Sequence, residues 1–279
     1  MRILLTNDDG INAEGLHVMA RAVSGWVAQD PDHRSAVICA PDHNYSGMSS
    51  AVGDVYEHPM LTVRRRVITG AENIPAYEIE GSPALCAIIG CFGTFGERPD
   101  LVLSGINPGA NVGLSVLHSG TVGAVLTAAQ VGISGIAVSV QWGESVHYDT
   151  AAALAVGLID EIAATSTLTS INLNVPNLPL GDIRGVRHAR ISSAEVVAGT
   201  TFASSADGES GVVTLRLGAA SPTIGDVTDE DASDDGALVE AGYAALTIMQ
   251  GPRENTDLAH ETLIRAALNK MSAHLTSGR

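Results

Sequence analysis

One lysine, Lys270, stands in the whole 279-residue chain. A Walker-A loop needs a lysine directly after its second glycine, so that phosphate-binding device is excluded. Basic residues of both kinds are few: 15 Lys and Arg against 31 Asp and Glu, a formal charge of −16. Gripping a nucleic-acid backbone takes clustered Lys and Arg, so no nucleic-acid polymer is expected as a partner. Any phosphate substrate must instead have its charge met by metal, backbone N–H groups or arginine. Cysteine is scarce as well. Cys39, Cys86 and Cys91 are an odd number, with neither a Cys-x-x-Cys nor a Cys/His zinc spacing. Long hydrophobic runs are missing too, which leaves no membrane span. The N-terminus enters a strand-like run with no basic region and no signal-type segment before it. Together these absences point to a cytoplasmic protein with reduced thiols and no membrane contact.

Hydrophobic residues make up 45% of the chain, enough to core one large α/β domain or one domain with an appended lobe. Leu16, Met19, Ala20, Val23 and Val27 share one helical face, and the β-type run Ala36 to Ala40 follows. Ser82-Pro83 reads as an N-cap and first-turn pair, with Leu85, Ile88, Ile89 and Phe92 as the apolar stripe of its helix. Leu101 to Leu103 is a strand, Gly120 to Val131 a helix closed by Gly132, Gly135 to Val140 a strand and Ala151 to Ala164 a helix. This alternation predicts a Rossmann-like three-layer αβα fold, with a mainly parallel sheet and helices on both faces.

The character changes after about residue 175. Val186 to Ile191, Val212 to Leu217 and Ala244 to Ile248 read as strands between Gly-, Ser-, Thr- and Asp-rich loops. The cluster from Asp226 to Asp235 reads as a solvated acidic loop. A last helix, Leu258 to Leu275, is expected to pack back through Leu258, Leu263, Ile264, Ala267 and Leu268. The expected organisation is a 1–175 α/β catalytic core, a β-rich extension with the late strand over 176–250, and a 251–279 C-terminal helix, all within one structural domain. Exposed strand edges need pairing or cover, so the extension is expected to serve oligomer contacts.

Candidate chemistry sits where the strands end. The run Ile3 to Leu5 stops at Asn7-Asp8-Asp9-Gly10, and two adjacent carboxylates there repel unless a cation compensates them. Such strand ends are where ligands bind in open α/β sheets, although Asp-Gly is also ordinary turn chemistry. The loop Ala40-Pro41-Asp42-His43-Asn44-Tyr45-Ser46-Gly47 ends the second strand and offers Ser or Asn oxygens to a hard cation. Ser104-Gly105-Ile106-Asn107-Pro108-Gly109-Ala110-Asn111-Val112-Gly113 follows the third. His118-Ser119-Gly120-Thr121-Val122-Gly123 enters a helix, where free N–H groups and the dipole favour phosphate. Ser119 and Thr121 would add hydroxyl donors, though Ser119 can cap the helix without any ligand.

Thr6-Asn-Asp-Asp-Gly10, the Ala-Pro-Asp loop with Ser46-Gly47, Ser104-Gly-Ile-Asn107 with Asn111-x-Gly113, and Ser119-Gly-Thr-Val-Gly123 stand in the order seen in one family. The chain resembles the survival protein E (SurE) family of metal-dependent nucleoside monophosphate phosphatases. The match runs through the N-terminal half and resumes weakly over Asp235 to Ile248. The resemblance implies one divalent cation, Mg²⁺ or Mn²⁺, on Asp8, Asp9, Ser46 and Asn107, an all-oxygen donor set unsuited to zinc. It makes Asp8, Asp9 and Asn107 the catalytic residues. Asn44, Asn111, Ser119, Gly120 and Thr121 become the substrate side, and the assembly a homodimer or homotetramer.

Three positions depart from the family pattern: Leu85 replaces an acidic residue, Tyr45 a basic one and Thr127 a glutamate. None is an implied metal ligand; they bear on substrate preference and packing. The expected reaction is hydrolysis of nucleoside 5'-monophosphates, with N–H groups at Gly120 and Thr121 steadying the phosphoryl oxygens. Attack by water and attack by an aspartate both remain open, and His118 is one candidate for the general acid. Short-chain polyphosphate or sugar-phosphate hydrolysis at the same site, and a non-catalytic metal or nucleotide sensor, are the competing readings.

Overall fold

The computed structural model describes residues 1–193, 196–204, 211–219, 233–252 and Arg265. The chain divides into two compact units, Met1–Met249 and Gln250–Arg279, and the architecture below is that of the first. Apart from Arg265, the expected helix Leu258 to Leu275 lies outside the described residues, as do residues 226–232 of the acidic cluster.

The strands are β1 (Arg2–Thr6), β2 (Ser35–Pro41), β3 (Val63–Arg66), β4 (Ala76–Ile79), β5 (Leu101–Pro108), β6 (Ser134–Val140), β7 (Ser170–Val175), β8 (Val186–His188), β9 (Val196–Ser204), β10 (Gly211–Ala219) and β11 (Ala244–Met249). The helices are α1 (Glu14–Ala28), α2 (Pro83–Cys91), α3 (Gly120–Gln130), α4 (Tyr148–Gly157), α5 (Ile159–Ala164) and α6 (Asp235–Glu240). Nine strands form one sheet in the order β3-β4-β2-β1-β5-β6-β7-β11-β8, and β9 and β10 pair separately as an antiparallel ribbon. From β4 to β7 every pairing is parallel; β3 and β11 join antiparallel. The fold is therefore α/β with a mostly parallel sheet, as the alternation of patterns implied.

β1 shows why both faces are covered. Successive side chains on a strand point to opposite faces. Ile3 and Leu5 accordingly enter a core with Leu16, Met19, Val23 and Trp26 of α1 and Ala151 and Ala155 of α4. Leu4, between them, packs on the other side with Val37, Cys39, Cys86 and Cys91. All three cysteines are buried free thiols, and burial raises each above its ordinary pKa. Among the described residues no helix is long and apolar enough to cross a membrane.

The structure corrects several local readings. In α2 the buried face is Ala84, Leu85, Ala87, Gly90 and the two cysteines, while Phe92 is the exposed C-cap. The stripe of bulky residues and the buried face differ because the face against the sheet is built mostly from small ones. The helix expected over Ala151 to Ala164 begins at Tyr148 and divides at Leu158 into α4 and α5. The sequence patterns give neither β3 nor β4: β4 is only Ala-Tyr-Glu-Ile, too short for a clear alternation, and β3 reads Val-Arg-Arg-Arg and lies exposed at the sheet edge, where charge deters further pairing. The strand expected over Val186 to Ile191 ends at His188, leaving Arg190 in an isolated bridge to Asp234. The end of the acidic cluster is not solvated, for Asp235 is fully buried.

The topology fixes where a ligand can sit. From β1 the chain moves outward to β2, then returns across β1 to place β5 on its other side. This reversal opens a crevice beyond the carboxyl ends of β1 and β5. Asp8 and Asp9 follow β1, and Asn107 lies at the end of β5.

Candidate active site

Thr6 ends β1 opposite Ser104 of β5. Asn7 then braces the turn by donating its amide to the Gly10 carbonyl at 2.9 Å. The turn carries Asp8 down to the start of α3. Asp8 is 3% exposed, and its Oδ1 accepts the Thr121 hydroxyl at 2.6 Å. Its own N–H and those of Gly120 and Thr121 also favour its charged form, yet burial outweighs them and raises its pKa. Gly120 is required here: a Cβ on it would lie 2.7 Å from the Asp8 Cβ and 2.8 Å from Oδ2.

Asp9 is half-buried and faces the second loop. Its Oδ1 accepts from Asn44 Nδ2 at 3.2 Å, while Asn44 Oδ1 accepts the Ser46 N–H at 2.7 Å. A backbone bond from Tyr45 N–H to the Asp8 carbonyl, 2.7 Å, ties the same loop down a second time. Asp9 Oδ2 is buried without a hydrogen-bond partner among the described residues. Burial first, and then the Asp8 charge, push the Asp9 carboxyl up to about 7. Thr6 Oγ1 and Ser104 Oγ, opposite one another at the β1–β5 seam, are likewise buried and unpartnered.

The third loop is held from the sheet. Beyond a register shift between Ser104 and Asn107, Asn107 donates its amide to the Gly109 carbonyl at 2.6 Å. That leaves its carboxamide oxygen as the group with lone pairs to offer. Asn111 is fixed by three residues: its N–H donates to Asn174 Oδ1 at 2.7 Å, its amide to Ser139 Oγ at 2.8 Å, and its carbonyl accepts from Asn172 and Asn174.

A divalent cation fits this donor set. Two adjacent carboxylates with raised pKa values and an orphaned oxygen form its anionic half, and the remaining donors are neutral oxygens. All of these donors are oxygens, the chemistry of a hard cation rather than of zinc.

The hydrogen bonds thus join Asp8, Asp9, Asn44, Ser46 and Thr121, and Asn107 stands across the seam on the adjoining strand. Two expectations change. Thr121 is fully buried with its hydroxyl donated to Asp8, so it positions a carboxylate instead of offering a free donor to phosphate. Ser119 caps α3 by accepting the Val122 N–H at 3.1 Å, the role it can fill without a ligand. His118 is exposed, and its carbonyl accepts from Ser49 N–H.

The departures from the family pattern have local partners. Thr127 bonds back to the Gly123 carbonyl at 2.7 Å, and Tyr45 donates its hydroxyl to Asp42 at 3.3 Å. Leu85 joins Tyr45, Met48 and Leu61 in the wall of a cavity of about 180 Å³. Sequence reasoning missed Asn172, Asn174 and Tyr148, whose hydroxyl feels the Asp9 charge. A signal existed for the asparagines: both lie on one face of the otherwise core strand β7, where polar side chains need a buried partner.

The profile of the survival protein SurE family matches residues 3–197. A protein named 5'-nucleotidase SurE from Desulfatibacillum aliphaticivorans is 38% identical over 193 residues, 68% of this chain and 71% of that one. A 5'/3'-nucleotidase SurE from Serratia proteamaculans is 34% identical over 255 residues, 90% of each chain. The crystal structure of SurE protein from Aquifex aeolicus superposes with a TM-score of 0.69 at 25% identity, covering 91% of this chain and 95% of that one.

Proposed function

The chain belongs to the survival protein SurE family, and on that premise we propose that it is a divalent-metal-dependent phosphatase of nucleoside 5'-monophosphates. The observation that carries the reading is the Asp8–Asp9 pair: adjacent carboxylates at the sheet's switch point, pushed toward their protonated forms by burial, one with a buried oxygen left over. Asp8, Asp9, Ser46 and Asn107 would hold Mg²⁺ or Mn²⁺. When bound, the cation supplies Lewis-acid neutralisation of phosphoryl charge.

The chain's own residues do the positioning. Thr121 and the tight Gly120 contact fix the Asp8 carboxylate; Asn44 orients Asp9 and, through the Ser46 N–H, sets the serine loop. In this reading Asn111, with one amide N–H on Ser139 Oγ, offers the other toward phosphate. The nucleotidase names of the relatives support a nucleotide substrate, and in a chain with one lysine its phosphate would be met by metal, amides and dipoles. The enzyme is cytoplasmic in this reading, in keeping with its three buried free thiols.

Phosphate release from a panel of nucleoside monophosphates, sugar phosphates and short polyphosphates, with Mn²⁺, with Mg²⁺ and with EDTA, tests the proposal. Metal-dependent release from nucleoside 5'-monophosphates is expected, and EDTA abolishes it reversibly. Metal-independent turnover, or none on any nucleotide, would count against it. The working form is a homodimer or homotetramer whose contacts draw on residues 176–250, with each pocket built from residues 1–175. Sedimentation equilibrium at micromolar concentration should show an assembly of two or four chains, and a clean monomer would refute that part alone.

A further inference from the structure

We infer that Asp235 is a positioning residue for this site: its buried carboxylate tethers the Asn111–Gly113 segment at Gly113. The inference rests on the phosphatase reading above. Asp235 is fully buried, and no basic side chain among the described residues pairs with it. Its two oxygens are satisfied by backbone instead. Gly113 N–H reaches both of them, at 3.1 and 3.0 Å; Ser192 and Gly236 N–H each donate to Oδ1 at 2.9 Å. Three segments far apart in sequence meet on one carboxylate: the loop after β5, the chain just before β9, and the first turn of α6.

The position of Gly113 gives the tether its consequence. Two residues earlier, Asn111 is locked to Ser139, Asn172 and Asn174 of the sheet. The segment is therefore pinned at both ends, by side-chain amides at Asn111 and by a carboxylate at Gly113. Gly113 has φ +59, and a Cβ on it would meet the Ser192 carbonyl at 3.3 Å, so the pinned turn is also closely packed. A loop held from two sides keeps the Asn111 amide in one place, one N–H on Ser139 Oγ and the second left to offer, which is what preorganised phosphate recognition needs. Asp235 touches neither metal nor phosphate in this scheme. It acts through Asn111.

The carboxylate geometry allows a selective test. In Asp235→Asn the oxygen at Oδ1 can keep the Ser192 and Gly236 bonds, while the Gly113 N–H exchanges its two acceptors for the Oδ1 contact alone beside a repelling amide group. The expected result is a rise of about 5- to 20-fold in the KM of a nucleoside 5'-monophosphate and in the inhibition constant of inorganic phosphate, with kcat changed less than about 3-fold. The metal concentration for half-activation should not move. In an Asn111→Ala background the same substitution should add less than about 2-fold, because the residue through which it acts is gone. Equal effects in both backgrounds would overturn the inference, as would a lowered Tm with unchanged KM.

Calorimetric titration with inorganic phosphate reads the same double-mutant cycle without turnover. Failure of all phosphatase activity would sink the phosphatase reading, while that cycle still judges the tether. Should Asp235→Asn not fold, amide exchange on the wild type decides: Gly113 N–H slowed by about 10²-fold or more supports the tether, and free exchange refutes it.

Discussion

The chain contains Asp-Asp-Gly twice, at Asp8-Asp9-Gly10 and at Asp234-Asp235-Gly236, and the two copies do opposite things. In both, one aspartate is almost wholly removed from solvent, and burial raises its pKa. In the late copy every demand is met by backbone N–H groups. Asp234 accepts the Ala237 N–H as the N-cap of α6, and Asp235 takes backbone N–H groups on both oxygens. In the early copy the demands are left open. Asp9 has one long bond to Asn44 and one buried orphaned oxygen, and it feels the Asp8 charge. Identical dipeptides therefore diverge by how completely neighbouring donors satisfy them. A saturated carboxylate is a structural joint; an unsaturated pair at a crevice is a place for a cation.

The largest expected effect breaks the early copy. Asp8→Asn or Asp9→Asn removes half of the anionic complement, so metal-dependent kcat/KM should fall by about 10³-fold or more while the fold persists. Asp235→Asn in the late copy should move KM by far less. Steady-state assays at saturating Mn²⁺, with circular dichroism to confirm folding, make the comparison. Full activity in either early variant, at unchanged metal demand, would end the case for this pair as the site.

Much of that contrast was legible in the residues. The alternation of strand and helix patterns implies the parallel sheet, and the position of Asp8-Asp9 after β1 implies the crevice. The late Asp-Asp was read as solvent-facing because it closes an acidic run, and charge runs ordinarily stay wet. Nothing local says that Gly113, more than a hundred positions earlier, brings its N–H to Asp235. The same limit explains Thr121. A hydroxyl in the first turn of a glycine-rich helix reads as a phosphate donor, and only the meeting of the turn after β1 with the start of α3 reveals that Asp8 takes it first. Side-chain roles that depend on which strands become neighbours lie beyond periodicity and motif. β3 was missed for another reason, since an all-exposed edge strand has no apolar alternation to detect.

Intermediate effects sharpen the comparison by disturbing what surrounds the unsaturated pair. Thr121→Val keeps the shape of the side chain and deletes the donor to Asp8. Groups that orient metal ligands are worth about 10- to 100-fold in metal affinity or activity, so the Mn²⁺ concentration for half-activation should rise by that order. Inhibition by inorganic phosphate, measured at saturating Mn²⁺, should change little. The reverse outcome, weakened phosphate inhibition with unchanged metal demand, would restore Thr121 as a direct phosphate ligand. Gly120→Ala forces a methyl into space held by Asp8 at 2.7 Å. Overpacking of this kind costs about 1–3 kcal/mol, and here the displaced group is the metal-binding carboxylate itself. Activity should therefore drop further than the shift in Tm alone would imply.

The smallest effect concerns the proton that takes the cation's place. Asp9 has its carboxyl raised from 3.8 to about 7 in the folded chain, whereas in the unfolded chain burial and the fixed Asp8 neighbour are gone. Between those two values the folded state binds a proton that the unfolded state does not. Stability from this group is then present at low pH and is lost as pH rises through about 7, the opposite of an aspartate held in a salt bridge. In EDTA, the Tm of the wild type should decline from pH 5 to pH 8 more steeply than that of Asp9→Asn, which has no such proton to lose. Added Mn²⁺ should remove the difference at pH 8, because a cation compensates the two charges that deprotonation leaves side by side. Thermal unfolding of both proteins across that range, with and without Mn²⁺, gives the reading. Parallel Tm curves in EDTA would mean that Asp9 is already compensated by the protein, and the contrast between the two Asp-Asp-Gly segments would collapse.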